Sequence, residues 1–317
     1  MKAPEAIFEL GLNHLGDAHR AYRMIDILCA QGATHITIQA AVDFSTITRD
    51  TASIKTIQPN YLSLEEVIAI VKHGQSTGVV MGVTVLNPEY VEPFVAAGVS
   101  FFKILSSDLT YTQLHIAVAH TGLPCYLSTG LATIEDITRA LDLIHTTEPT
   151  ADIHLIHTVL KIPTPATMLN LNNIPFLIGK YHLPVAYGQH SDIHDALPAA
   201  IAAGAETVFV YVAEEMSPAL PDGPHAIVCS GAGILLKKLA QVRLMMGVTE
   251  RILSTEEQER RISIRRSIVA AKPLTYGEPI TMGKITFKRP GTGYAPWDAT
   301  QVVGTPAKKD YLQDEDI

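Results

Sequence analysis

Residues 79–128 read VVMGVTVLNPEYVEPFVAAGVSFFKILSSDLTYTQLHIAVAHTGLPCYLS. Three short apolar runs, Val79–Val85, Ser100–Leu105 and Pro124–Ser128, alternate here with two helix-like stretches, Tyr90–Ala97 and Thr112–His120. Runs that are apolar almost throughout suit parallel strands covered on both faces. Strand–helix alternation at this spacing implies βαβ units.

The same alternation extends in both directions. Strand-like runs Ala6–Gly11 and Thr34–Gln39 precede this stretch, and Ile153–Val159, Pro184–Tyr187 and Thr207–Val212 follow it, making eight. Further helices are predicted over Ala18–Gln31, Leu64–Ser76, Ile134–His145, Ala166–Tyr181, Asp195–Ala203 and Ile227–Met246. Thr133 and Asp136 have the spacing of a capping box before Ile134–His145. Eight repeats, with no GxGxxG after the first strand, favour an α/β fold closed into a (β/α)8 TIM barrel over an open doubly wound sheet. Such a barrel takes about 250 residues. The chain has 317 residues, which leaves roughly 65 beyond a standard barrel. Near residue 250 the composition changes. TERILSTEEQERRISIRR is charge-rich and reads as a solvated linker or short helix. Alternating Val, Ile and Thr with Gly and Pro turns then mark a small β-rich module. The expected divisions are a barrel over 1–247, a linker over 248–264 and a small domain over 265–317.

Hydrophobic residues at 47% and charged residues at 18% describe a globular chain with ample core material. A formal charge of −8 argues against a duplex nucleic-acid partner, which calls for clustered Lys and Arg. Cys29, Cys125 and Cys229 are too widely spaced for a disulfide framework or a zinc motif, and a reducing compartment is the simplest setting. The opening MKAPEAIFELG lacks the apolar core of a signal peptide. No stretch reaches the ~20 apolar residues of a membrane helix. A cytoplasmic protein without membrane contacts is expected.

Barrel active sites lie at the C-terminal ends of the strands. The polar residues there are Glu9, Asn13, His14, Gln39, Thr84, Lys103, Ser106, Asp108, Ser128, Thr129, His157, Lys161, Gln189, His190, Asp192, His194, Tyr211 and Glu214. Glu9 in an apolar strand is costly to bury unless paired. Lys103 follows Phe101 and Phe102, so its ammonium projects from an apolar strand as an anion-binding or Schiff-base candidate. Ser128-Thr129-Gly130 before a helix makes a phosphate-binding corner. Asn13 and His14 serve equally well as caps. His190, among polar residues after a strand, suits a metal ligand or an acid/base.

Several segments together resemble the sialic acid synthase family. IFELGLNHLGD resembles its opening Glu-x-Gly-x-Asn-His-x-Gly-Asp motif, and FKILSSD its Lys-Ile-x-Ser-Gly-Glu strand. YLSTGLATIEDI resembles its Leu-Ser-Thr-Gly segment, and Ile162-Pro163-Thr164-Pro165 its Tyr-Pro-Thr-Pro run. RRSIVAAKPLTYGEPIT and KRPGTG resemble the C-terminal antifreeze-like (SAF) domain of that family, here shortened. The resemblance implies condensation of phosphoenolpyruvate with an N-acylated amino sugar aldehyde, with release of phosphate. It also implies a divalent metal, manganese or magnesium, and a domain-swapped homodimer. Carried over, Lys103, Ser106, Ser128 and Thr84 would hold phosphate, and Glu9 and Gln39 would contact the sugar or its reacting centre, with Asn13 and His14 beside them. Asp108 takes the place of a family glutamate. His190 takes that of the first metal histidine, and Arg289 would reach the acyl group in the partner's barrel.

The departures concentrate in the site. Tyr211 stands at the second metal histidine, Gly188 at a serine, and Leu160 and Ile162 at polar or tyrosine positions. The aspartate of Gly-Pro-Asp-His is displaced to Asp222. One histidine does not by itself hold manganese firmly. His225, His194 or His157 are open as further ligands. Two other readings remain beside the synthase: a Schiff-base aldolase using Lys161 or Lys103, and a non-catalytic binding homodimer.

Overall fold

The computed structural model describes residues 6–39, 55, 58–217 and 220–317. They fall into two compact units, Met1–Gly247 and Val248–Ile317. In the first, eight parallel strands follow one another in order: β1 Ala6–Glu9, β2 His35–Gln39, β3 Val80–Thr84, β4 Phe101–Ile104, β5 Cys125–Ser128, β6 Ile153–His157, β7 Val185–Gly188 and β8 Val208–Ala213. The pairing of Ala6–Glu9 with Val208–Tyr211 closes the barrel.

Among the described residues, the helices that cover it are α1 Ala18–Ala30, α2 Leu64–Ser76, α3 Val91–Ala96, α4 Thr112–Ala119, α5 Ile134–Thr147, α6 Asn173–Tyr181, α7 Ala196–Ala202 and α8 Ala232–Met246. Thr133 caps α5, its hydroxyl accepting from the Asp136 N–H while the Asp136 carboxylate accepts from the Thr133 N–H. Two of the expected helices are interrupted. Asn170, at φ 46, splits Ala166–Tyr181 into a 3-10 turn and α6, because asparagine tolerates the left-handed region. The β-branched pair Ile227–Val228 instead forms a short strand β9 along Val212–Ala213, and the helix starts only at Ala232.

Strand parity sorts the core into two. One set, including Phe8, Phe102, Leu127, Leu155, Tyr187 and Val210, packs against the helices. The alternate residues Ile7, Phe101, Tyr126, Ile156, Ala186 and Phe209 fill the barrel interior. Successive side chains on a strand point to opposite faces, so the next inward position on each strand lies above this plug.

The second unit has its own small core of Ile268, Ala270, Leu274, Ile280, Ile285, Val302, Ala307 and Tyr311. It is built on antiparallel β10 Ser267–Ala270 and β11 Ile285–Lys288. The charge-rich stretch before it forms α9 Thr255–Ile264, capped reciprocally by Ser254 and Glu257.

Candidate active site

One step above the apolar plug, parity brings Glu9, Lys103, Ser128, Thr158, Gly188 and Tyr211 to the C-terminal mouth of the barrel, two residues beyond Ile7, Phe101, Tyr126, Ile156, Ala186 and Phe209. A cavity of about 190 Å3 opens there, lined among others by Gln39, Lys103, Ser106, Ser128, His190 and Asp222.

Its β1–β4–β5 side is a bonded polar cluster. Lys103 Nζ donates to Glu9 Oε2, and both groups are buried. Thr84 Oγ1 donates to Glu9 Oε1 at 3.4 Å. The ammonium also lies 5.0 Å from the centre of the Phe209 ring and 5.5 Å from that of Tyr211, where cation–π attraction adds to the ion pair. Ser106 Oγ accepts from the Gly130 N–H at 3.0 Å, which leaves its own proton for a ligand oxygen. Gln39 Nε2 donates to the Tyr61 hydroxyl, and burial pushes that phenol up to about 12.

The β7–β8 side is a cluster of rings. His190 lies 5.7 Å from Tyr211 and 5.1 Å from His225, and Tyr211 and His225 are 4.6 Å apart, centre to centre. His190 Nδ1 donates to Val159 O at 3.1 Å and sits 3.0 Å from Thr158 Oγ1. Among the described residues, neither ring nitrogen of buried His225 has a hydrogen-bond partner. Burial, with the Lys103 ammonium adding to it, holds His190 down at about 4. Burial, the neighbouring His190 and Lys103 hold His225 at about 3. Gly188 stands where a Cβ would come within 3.0 Å of Ile156 and 3.1 Å of Thr158. Next door, the Thr158 hydroxyl donates to Gly188 O at 3.0 Å.

Asp222 hangs over the cavity from the segment after β8. Its Oδ2 accepts from the Leu12 N–H at 2.9 Å. Burial and the charge of Glu9 raise its carboxyl to about 6 against the pull of the Leu12 bond and of Lys103. Gly11 passes beneath at φ +54, where a Cβ would lie 2.4 Å from Asp222 Oδ2 and 2.9 Å from the Tyr211 ring. Only glycine fits both that conformation and that space.

The other expected residues are placed as follows. Asn13 is tied at both ends, donating to Val212 O at 2.8 Å and accepting from the Asp222 N–H at 3.0 Å. It positions Asp222 and does not line the cavity. His14 is buried, accepts from the Gly16 N–H and is held at about 4 by burial. Asp108 is half-buried in the Ser106–Asp108 turn, takes the Ser107 hydroxyl and does not line the cavity; burial raises its carboxyl. Arg289 is exposed just after β11 in the second unit. His157 bonds to Leu169 O, while His194 and Lys161 are exposed. Lys161 lines a separate groove with Leu131 and Phe176. Of the candidates for a second imidazole, the structure brings only His225 to His190. Thr158, Asp222 and Tyr61 were not among the expected site residues. Parity from Ile156 finds Thr158, and the displaced Gly-Pro-Asp-His motif marks Asp222, whereas no local pattern marks Tyr61.

Manganese or magnesium would need several oxygen or imidazole donors converging on one point. Among the described residues no three His, Cys, Asp or Glu side chains do so. Glu9 is engaged by Lys103, and His190 is left with one nitrogen. This donor set does not fit a resident divalent metal.

The chain is 27% identical to the N,N'-diacetyllegionaminic acid synthase of Campylobacter jejuni, over 99% of each chain. It is 29% identical to an uncharacterized protein of Methanocaldococcus jannaschii, over 98% of this chain and 92% of that one. The structure of N-acetylneuraminic acid (sialic acid) synthetase from Leptospira borgpetersenii superposes with a TM-score of 0.77 at 25% identity, covering 81% of this chain and 90% of the other. The SAF domain model matches residues 265–315. The NeuB family model matches residues 27–251, a span that contains seven of the eight barrel strands and most of the cavity wall, and the chain therefore belongs to the NeuB family.

Proposed function

We propose that the protein condenses phosphoenolpyruvate with an N-acylated amino sugar aldehyde to a 2-keto-3-deoxy sugar acid, releasing phosphate. The observation that carries this reading is the cavity in which Lys103, Ser106 and Ser128 converge at the mouth of a NeuB-family barrel. An ammonium and two hydroxyls suit a phosphate group. The acylated sugar acid in the names of the C. jejuni and L. borgpetersenii relatives supports the acceptor class.

In this reading C3 of phosphoenolpyruvate bonds to the aldehyde carbon. The aldehyde oxygen takes up a proton, water adds at C2, and the C2–O bond to phosphate breaks to leave the ketone. Asp222, with its carboxyl raised to about 6, is the proton donor that lines the cavity. Lys103, fixed by Glu9, balances charge on the phosphate as it leaves. The cavity is small beside the roughly 300–1,000 Å3 of a typical organic-ligand site. It takes the three-carbon phosphate, and the sugar extends outward past Leu160 and Ile162, which line the cavity and are themselves partly exposed.

The test is phosphate release from phosphoenolpyruvate with a panel of N-acyl hexosamines. Release that needs an acylated acceptor, and that falls at least about 100-fold in Lys103→Met, supports the reading. Tight phosphoenolpyruvate binding with no release for any acceptor would favour the non-catalytic alternative. Borohydride trapping of a carbonyl compound on Lys161 or Lys103 would favour the aldolase. Arg289→Ala is expected to raise KM for the acylated acceptor several-fold and leave that for phosphoenolpyruvate unchanged.

A further inference from the structure

We propose that this reaction centre works without a bound divalent metal, that Lys103 is its fixed positive charge, and that Tyr211 is the residue that keeps a metal out. The inference rests on the cavity being the reaction site. Three rings, those of His190, Tyr211 and His225, meet with centres between 4.6 and 5.7 Å apart. That is the spacing of side chains able to share one ion, but only two of the three rings carry a ligating nitrogen. The third, Tyr211, is buried beside both.

The neighbouring groups work in the same direction. Lys103 already places a full positive charge 5.5 Å from the centre of the Tyr211 ring, and a second cation there would be repelled. Glu9, a carboxylate that could balance a metal, is bonded to Lys103 and Thr84. The carboxylate of Asp222 is tied to the Leu12 N–H, and Gly11 and the Tyr211 ring crowd the space beside it. Phenol, ammonium and ion-paired carboxylate thus surround two imidazoles that hold the same corner of the barrel by packing.

Tyr211→His would complete a set of three imidazoles on the same corner, a donor set that suits divalent transition metals. The experiment measures manganese and zinc by mass spectrometry on the purified full chain, and Mn2+ binding by electron paramagnetic resonance. It uses wild type, Tyr211→His, and Tyr211→His combined with His190→Ala. Wild type is expected to hold less than a tenth of an equivalent of metal. Tyr211→His is expected to bind Mn2+ at least tenfold more tightly, and the added His190→Ala to erase that gain. Near-stoichiometric metal in wild type, lost in His190→Ala, would overturn the proposal. A folded Tyr211→His variant with no gain would overturn the role given to Tyr211. Should that variant fail to fold, wild type alone still decides the matter. Exhaustive chelation should leave its turnover within twofold and its metal content unchanged, and a tenfold loss restored by Mn2+ would sink the idea. Metal binding is read without turnover, so a protein that releases no phosphate speaks against the proposed reaction and leaves this result standing.

Discussion

Along β1, β4 and β5 the barrel mouth is lined by charged and hydroxylated groups bonded to one another, Glu9 to Lys103 and Thr84, Ser106 to Gly130. Along β7, β8 and the segment after it, the lining is rings, and the two nitrogens of His225 have no hydrogen-bond partner among the described residues. The first half is held by partners that would be missed one at a time. The second is held by packing and by keeping its imidazoles neutral. The difference separates a half that offers fixed charge and bonded hydroxyls from a half whose rings shape the space beside them.

The comparison is broken most severely by Lys103→Met. Removing one member of a buried pair leaves Glu9 uncompensated, at a cost of about 3–5 kcal/mol. A large fall in melting temperature is expected along with loss of phosphate release. Glu9→Leu with Lys103→Met should restore most of the stability and none of the activity, which thermal unfolding beside the phosphate assay would show.

The ring half, together with His14 in the turn after β1, is read by pH. His14, His190 and His225 are depressed from 6.5 to about 4, about 4 and about 3. The unfolded chain therefore takes up protons before the folded one does, and stability present above pH 6.5 is lost as pH falls toward 4. Asp222 is raised to about 6, so its contribution runs the other way and is lost as pH rises from about 4 to 6. Three histidines outweigh one carboxyl, and stability should rise with pH across this window. His225→Leu should flatten the slope and Asp222→Asn should steepen it, as urea titrations at several pH values would reveal. A wild type equally stable at pH 4.5 and 7 would refute the neutral-ring account.

A smaller effect separates the halves by a single bond. Ser106→Ala leaves the buried Gly130 N–H without its acceptor, at about 1–3 kcal/mol, and should weaken phosphoenolpyruvate binding. The smallest is Thr84→Val. It removes only the long 3.4 Å bond to Glu9 Oε1 and leaves Glu9 paired with Lys103. About 1 kcal/mol of stability is expected to go with it, as thermal unfolding would show.

The barrel was legible because its signal repeats. Each βα unit carries the same alternation, and closure follows from counting eight. The polar half of the site was legible too, since Glu9, Lys103 and Ser128 break apolar strands at positions where only an inward, paired group is tolerable. The ring half was harder to read. Sequence singled out His190, Tyr211 and His225, but that Tyr211 and His225 pack on His190 emerges only when β8 and the following turn are folded against each other. Asp222 gains its position from Leu12 and Asn13, some two hundred residues earlier, and no local pattern announces such a partner. The helix expected over Ile227–Met246 failed for a related reason, since edge pairing with Val212–Ala213 outcompeted the local helical pattern.

The strap that holds Asp222 has a consequence for the order of assembly. Its three bonds, Leu12 to Asp222, Asn13 to Val212 and Asp222 to Asn13, span 210, 199 and 209 residues of chain. They form only when the first strand meets the last, and contacts of such long sequence separation come at the slow end of folding. A nascent chain therefore completes most of its strands and helices before it owns an acid at the mouth of its barrel. In the proposed reaction, competence would then come with the final ring closure, not with the accumulation of secondary structure.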